Sequence, residues 1–461
     1  MINALQNLQH RRWLFEQSIA LLDFARKSKV FLGFGYLDKN GEVDYDQPVQ
    51  AWISCRMTHI YSIGALMGVE GCRELAEHGI CTLLEYFEDP IHGGFFEAVE
   101  HQPDINGKAV PTESGTRKTA YTHAFVLLAA SSGVLAYIKR ADELFDKISK
   151  VIDEYFWDEE TGKMRESFSR DFLESEPYRG INANMHTVEA CLAAFDAQLM
   201  QNLSSADEQT LNWLRRANSI IGFTFGLAKQ NDYRIPEHFD EDWQVLWNYN
   251  ENDKAHQFRP YGATVGHAFE WARLACNASV MNQKYGIRVR ENFVDIAHNL
   301  FRQALNNWHC DGADGFVYTT DFKGKPIVHD RMHWVLCEAI GASVALNGVE
   351  AASNALPQKS TKVANYIAAE LGNEFSYWYE EFMAYAAGFL IEDAGKWHHQ
   401  LDAENRPADG IWAGKPDIYH AFQSLMLPLL PFGHFITAAV RYNSPDRYRP
   451  KIDGRVRIDI L

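Results

Sequence analysis

Phe258-Arg-Pro-Tyr-Gly-Ala-Thr-Val-Gly-His-Ala-Phe-Glu-Trp-Ala-Arg-Leu274 joins a loop to a helix in a pattern that the rest of the chain repeats. Pro260 and Gly262 make its first half a loop. From Thr264 onward the spacing predicts a helix with Thr264 as N-cap. His267 then takes the third helical position, and Glu270 follows on the same face, placed to orient it. An imidazole in a first turn meets the positive end of the helix dipole. That disfavours the cation and leaves a neutral base.

The arrangement recurs. Asp330-Arg-Met-His333 and Asp417-Ile-Tyr-His420 each place an Asp, read as a cap, before a His. Asn182-Ala-Asn-Met-His186-Thr-Val-Glu189 is a looser copy that repeats the His-x-x-Glu pair, and Ala120-Tyr-Thr-His123 and Trp52-Ile-Ser-Cys-Arg56 complete the series. Each opening leads into an apolar, small-residue helix such as Ala124 to Gly133 or Glu338 to Leu346. Between these helices the chain runs through a more polar helix, then a Gly turn with an aromatic or acidic extended run. Examples are Gly93 to Val99, Thr161 to Phe168, Tyr233 to Trp243, Asp311 to Lys325 and Gly395 to Asn405. The repeat of roughly 65 to 90 residues exceeds solenoid periods of about 20 to 50 and suits a helix pair with a decorated loop.

About twelve helices alternating between buried and polar predict an all-α (α/α)6 barrel, with short hairpin-like loops at one end. The 461 residues read as one domain, since repeat units continue on both sides of the weak linker candidate Leu356 to Lys362. The basic tail from about Asn443 reads as surface. In such a ring the inner helices run parallel. Arg56, His123, His186, His267, His333 and His420 are therefore expected to converge on one cavity.

A net charge of −17 argues against nucleic acid and anionic membranes as partners. The longest apolar stretch, near Ala124 to Ile138, is too short to span a bilayer. Seven Cys, odd in number and without a CxxC pair, read as reduced thiols of a cytoplasmic protein. Whether copies associate as a homo-oligomer is left open. Neutral His residues, an Arg and aromatic walls suit proton transfer beside a sugar carbonyl. The structural alternative for each His is a capping or core role, weightiest for His123 and His333. Metal binding through His186/Glu189 and His267/Glu270 has the helical spacing, but no further inward carboxylates and no His-Glu-x-x-His support it. No metal or cofactor is expected. A glycoside hydrolase would need a carboxylate pair across the cavity, and a protein-binding module a long exposed apolar stripe, which is not found.

At Asn182-Ala-Asn-Met-His186, Gly266-His267-Ala-Phe-Glu270-Trp-Ala-Arg-Leu274 and Asp417-Ile-Tyr-His420 the sequence resembles the N-acylglucosamine 2-epimerase superfamily. Within it, the chain is similar to the bacterial aldose–ketose isomerases acting on mannose or sulfoquinovose. Gly33-Phe-Gly-Tyr-Leu, Trp52-Ile-Ser-Cys-Arg56-Met, Tyr178-Arg-Gly, Glu237-His-Phe-Asp, Asp311-Gly-Ala-Asp-Gly and Leu401-Asp support the likeness, which runs from about Arg12 to Pro431. The resemblance implies an (α/α)6 barrel acting on a monosaccharide without metal or nucleotide. It implies that His420 moves the proton between C1 and C2, that His267 assists ring opening, and that Arg56 holds the enediolate oxygen. Trp52, Tyr121, Asn182, His186, Trp334, Glu338 and His399 match sugar-contacting positions. Sulfosugar members carry Arg where Gln257 stands, Gln where His399 stands and Gln where Pro416 stands. These departures point to a neutral sugar, mannose to fructose and also lyxose to xylulose, with a sulfoquinovose isomerase or a 2-epimerase as alternatives.

Overall fold

The computed structural model describes residues 4–202, 206–355 and 374–443. The linker candidate at Leu356 to Lys362 and the tail beyond Asn443 lie outside the described residues.

Six helices form an inner ring: α2 (Ala51–Leu66), α4 (Ala120–Leu135), α6 (Ile181–Gln201), α8 (Val265–Tyr285), α10 (His333–Ala355) and α12 (Tyr419–Met426). Each packs on the next, and α12 returns to α2, so the ring closes. Every residue of α2 is buried, and all but one of α4. Their sequences show why. Ala, Gly, Ser and Cys alternate with larger apolar residues, so neighbouring backbones approach closely and a face is buried on every side.

The outer layer is α1 (Leu8–Ala25), α3 (Cys72–Thr82), α5 (Ala141–Val151), α7 (Glu208–Gln230), α9 (Phe293–Leu305) and α11 (Glu374–Tyr385). These helices are amphipathic: α5 buries Leu144, Phe145 and Ile148 and turns Glu143, Asp146 and Lys150 outward. Helices α3, α5, α7, α9 and α11 each pack on the inner helix just before them in the chain, whereas α1 packs on the last inner helix, α12. Arg11 ties the two ends together by donating to the carbonyls of Pro428 and Leu429, both at 3.0 Å. A final helix, α13 (Ile436–Asn443), lies against α2, α4 and α6. The chain is therefore an (α/α)6 barrel, as the repeat predicts.

Strands are two or three residues long and sit in the loops, also as expected. Extended residues just before an inner helix pair antiparallel with residues before the next one: Val49–Gln50 with Ala98–Val99, Lys118–Thr119 with Ser167–Phe168, Tyr178–Gly180 with His238–Asp240, Ala263–Thr264 with Thr319–Thr320, and Arg331–Met332 with Gln400–Leu401. One residue ahead of each second strand, a carbonyl accepts the first N–H of the inner helix. The bonds are Ala51 to Glu97, Ala120 to Glu166, Ile181 to Glu237, Val265 to Tyr318 and His333 to His399, at 2.8 to 3.1 Å. A main-chain acceptor thus caps each of these inner-helix N-termini. This alters two side-chain expectations. Thr264 is the N-cap residue of α8, but its hydroxyl makes no capping bond. Asp330 does not cap α10, because its carboxylate accepts from Gln400 Nε2 at 2.7 Å. Asp417 does serve the last inner helix, accepting the Tyr419 N–H at 2.8 Å.

None of the seven cysteines forms a disulfide; Cys310 is exposed and Cys81 half-buried. Among the described residues no helix is long and apolar enough to cross a membrane.

Candidate active site

Counted from the first residue of each inner helix, Arg56 is sixth in α2, His123 fourth in α4, His186 sixth in α6, His267 third in α8, His333 first in α10 and His420 second in α12. The six were expected to converge on one cavity, and five of them do; His123 does not. Positions two and six, one helical turn apart, supply most of the residues on the ring's inner face, with His267 at position three and His333 at position one joining them at the cavity. Position two supplies Trp52, Tyr121, Asn182, Gly266, Trp334 and His420, and position six supplies Arg56, Phe125, His186, Glu270 and Glu338. His123, at position four, does not line the cavity. Its Nδ1 donates to the Thr119 carbonyl at 2.7 Å, its Nε2 accepts the Phe95 N–H at 3.0 Å, and burial takes its pKa to about 3. It is a structural histidine.

The cavity at the N-terminal end of the ring is lined by Arg56, His186, His267, Glu270, His333, His399 and His420, with Tyr121, Asn182, Trp334, Phe258 and Trp412 among its walls. All four expected catalytic residues are therefore together. So are Tyr121, Asn182, His186, Trp334 and His399. Two of the expected sugar contacts lie elsewhere. Trp52 stands behind Arg56, its ring 5.0 Å from the guanidinium, and borders the adjoining groove. Glu338 lies beneath His420, out of the cavity wall.

Two imidazoles face the cavity in the same way. His267 donates from Nδ1 to Glu237, with both carboxylate oxygens at 2.9 Å. His420 Nδ1 is 2.9 Å from Glu338 Oε1. Each ring thereby turns Nε2 toward the cavity as the free acceptor. Trp334 lies between them, with ring centres 5.1 Å from His267 and 5.8 Å from His420. It can do so because position two of α8 is Gly266, where a Cβ would come within 2.3 Å of the indole.

The carboxylate that holds His267 is not Glu270. The expected i, i+3 pair does not form, because Glu237 reaches His267 from the loop that caps α6 and also accepts the Thr264 N–H at 3.1 Å. Glu237 stood in the sequence only as part of a family-like stretch. Its register with Glu97, Glu166 and His399 in the repeated loops is the signal that would have found it.

The two carboxylates differ electrostatically. Burial opposes ionisation of Glu237, but His267, His238 and the Thr264 N–H outweigh it and hold its pKa below the usual range. Burial pushes Glu338 up, with Arg273 Nε at 2.8 Å working against it. Burial lowers His420 well below the ordinary imidazole, helped by Arg56 and His333.

Arg56 donates to Asp417 Oδ2 and to the Tyr121 hydroxyl, each at 3.1 Å, and stacks against Phe125 and Tyr419 at 4.6 and 4.7 Å. Burial works against its charge, but Tyr121, Asp417 and Tyr419 sustain it. Below the floor, Arg273 lies 2.8 Å from Glu338, 3.5 Å from Glu270 and 3.7 Å from Glu189. One guanidinium cannot balance three carboxylates. Glu270, 1% exposed and with no hydrogen-bond partner on either oxygen, is pushed well up by burial and by Glu338. It faces the cavity as a carboxyl group whose ionisation is disfavoured. Glu189 is held low despite its burial by His186, Arg273 and the Tyr419 hydroxyl.

Among the described residues, His186, Glu189 and Glu270 form the one group of three with metal-like spacing. Arg273 already supplies a positive charge to both carboxylates, and Tyr419 occupies Glu189. This donor set suits a proton network better than a cation.

The family model for N-acylglucosamine 2-epimerase (GlcNAc 2-epimerase) matches residues 33–382 and 369–424. A D-mannose isomerase of Thermobifida fusca is 39% identical over 437 residues, covering 94% of this chain and 97% of that protein. A D-mannose isomerase of Pseudomonas cannabina pv. alisalensis is 38% identical over 439 residues, 95% of this chain and 96% of its own. Among solved structures, a D-mannose isomerase superposes with a TM-score of 0.73 at 23% identity, over 91% of this chain and 97% of that one. The cellobiose 2-epimerase from Spirochaeta thermophila DSM 6192 gives 0.70 at 17% identity, over 91% and 96%. Both structures share the barrel.

Proposed function

The chain belongs to the N-acylglucosamine 2-epimerase family, and from that premise we propose that it is an aldose–ketose isomerase interconverting D-mannose and D-fructose, and also D-lyxose and D-xylulose. The relatives that cover nearly its whole length are named D-mannose isomerases. One observation carries the chemistry: two imidazoles, each held through Nδ1 by a buried carboxylate, present Nε2 to one cavity on either side of Trp334.

The C–H beside an aldehyde is acidic enough for a positioned imidazole. His420 Nε2 takes the C2 proton of the open-chain aldose, and Glu338 steadies the imidazolium. The electron pair moves into a C1–C2 double bond and the aldehyde oxygen becomes an enediolate oxygen beside Arg56. Returning the proton to C1, while the O2 proton passes to O1, gives the ketose. C1 is reduced and C2 oxidised, so no external oxidant is needed. His267 serves the ring-opening proton transfer, and Glu270, whose ionisation burial and Glu338 disfavour, donates to a substrate oxygen.

Among the described residues lining the cavity, Arg56 is the one Lys or Arg, and Asp417 engages it. That favours a neutral sugar over a sulfonated one. The reading includes a metal-free reaction in a cytoplasmic protein working as one domain. A second reading, 2-epimerisation, draws on the same pair of bases, since a proton returned to C2 from the opposite face gives the epimeric aldose.

The test is proton NMR of D-mannose with the purified protein in D2O containing EDTA. Fructose with partial deuterium at C1 is the expected result. Glucose without ketose replaces the isomerase by an epimerase, and no turnover of any aldose removes both readings.

A further inference from the structure

His333 and His399 stand outside this mechanism, yet they make one wall of the cavity. Their rings stack at 3.9 Å with planes 29° apart. His333 is the first residue of α10, and both its backbone N–H and its Nδ1 lie against the His399 carbonyl, at 3.0 and 3.1 Å. A carbonyl oxygen only accepts, so Nδ1 carries the hydrogen. In a neutral ring Nε2 is then a bare lone pair. That atom is buried and has no partner, in a side chain only 6% exposed.

On balance the surroundings disfavour protonation. Burial lowers His333 to about 4, with Arg56 and Lys415 adding to the effect and Asp417 opposing it. Burial also lowers His399, with His333 and Lys415 adding to it. Lys415 itself is turned away, donating to the Trp397 carbonyl and to Glu392 at 2.9 Å.

We propose that His333 Nε2 accepts a hydrogen bond from one substrate hydroxyl, and that the His333–His399 stack restricts this wall to neutral, hydroxyl-bearing sugars. A hydroxyl supplies the hydrogen the lone pair lacks. A sulfonate or phosphate oxygen would face that lone pair with no hydrogen between them, and a buried acceptor left unmatched is costly. The inference rests on the sugar-isomerase reading of the cavity and adds a specificity-determining residue to it.

The test is a cycle between the enzyme and deoxygenated substrates. D-Mannose and its 3-, 4- and 6-deoxy forms are compared on wild type and His333→Phe, which keeps a stacking ring but removes the acceptor. We expect His333→Phe to lower kcat/KM for mannose by about 10- to 100-fold, mostly through KM. One deoxy sugar should lose as much on wild type and lose little more on the variant. If His333→Phe does not fold, His333→Leu, which removes the acceptor with a smaller change of bulk, carries the same cycle. Wild type should turn over sulfoquinovose or mannose 6-phosphate at under about 1% of its kcat/KM for mannose. A variant within about twofold of wild type, the absence of coupling to any deoxy sugar, or efficient turnover of the anionic sugars overturns the proposal. Failure of wild type to convert any aldose is seen before a variant is made, and it overturns the functional reading instead.

Discussion

The His267–Glu237 and His420–Glu338 pairs have the same geometry, with Nδ1–oxygen distances of 2.9 Å in both, but they are built differently. Glu237 comes from a capping loop and also binds a helix N-terminus through the Thr264 N–H. Glu338 sits in an inner helix and shares its charge with Arg273. Glu237 is pulled below the usual carboxylate range, while burial pushes Glu338 above it. The comparison teaches that equal distances do not mean equal bases. The carboxylate beside His267 favours its ionised form and the one beside His420 resists it, in keeping with the proposed roles of fixed helper for His267 and proton carrier for His420.

The largest effect should come from deleting the carrier. His420→Ala is expected to lower kcat by about 10³-fold or more in steady-state assays, and near-normal turnover in a folded variant would end the mechanism. His267→Ala should lose less with open-chain analogues than with pyranose substrate. Next come the supporting acids. Glu338→Gln should cost about 10²-fold in kcat, because it also frees Arg273 to pair with Glu270. Glu237→Gln should cost about tenfold. Equal losses would show the two pairs to be interchangeable. Gly266→Ala, which drives a Cβ against Trp334, should cost roughly tenfold in kcat/KM by moving the indole off both rings.

The pH profile sharpens the same contrast. A base works while neutral, and His420 stays neutral below the ordinary imidazole value of about 6.5. The acid limb of kcat/KM should therefore lie below about pH 6.5 in wild type. A limb at or above that value would move the carrier's role away from His420.

The smallest effect is on stability. Glu270 has a folded pKa above its unfolded one, so its stabilising contribution is complete below the unfolded value and is lost as pH rises toward the folded one. Glu270→Gln removes that penalty. It should raise Tm at pH 7.5 by roughly 1 °C per kcal/mol relieved in a chain of this size, while lowering turnover. An unchanged or lower Tm would mean that Arg273 balances Glu270 after all.

The ring of helices was legible because twelve amphipathic or buried helices and their Gly-rich loops are local patterns. The cluster of Arg56, His186, His267 and His420 was legible because each lies near a helix start, and one end of a parallel ring must gather such starts. What failed was register. A step of one or two residues turns a helical side chain by 100° or more, and this alone separates His123, which points into the packing, from Tyr121, which faces the cavity. Partners distant in the chain were also hidden. Glu237 precedes His267 by 30 residues, and Arg273 reaches Glu338 across 65; no local spacing announces either.

The pairing of α1 with α12 has a consequence for the making of the protein. α1 leaves the ribosome about 400 residues before α12, so its apolar face stays uncovered while the helices between them are made. Until α12 arrives, the barrel is a crescent with two open edges, and His420 has not been made. Ring closure by α12, fastened by Arg11 on the carbonyls of Pro428 and Leu429, completes the wall and delivers His420, the proposed proton carrier, in one step. A nascent or truncated chain therefore cannot begin to turn over sugar before its fold is shut.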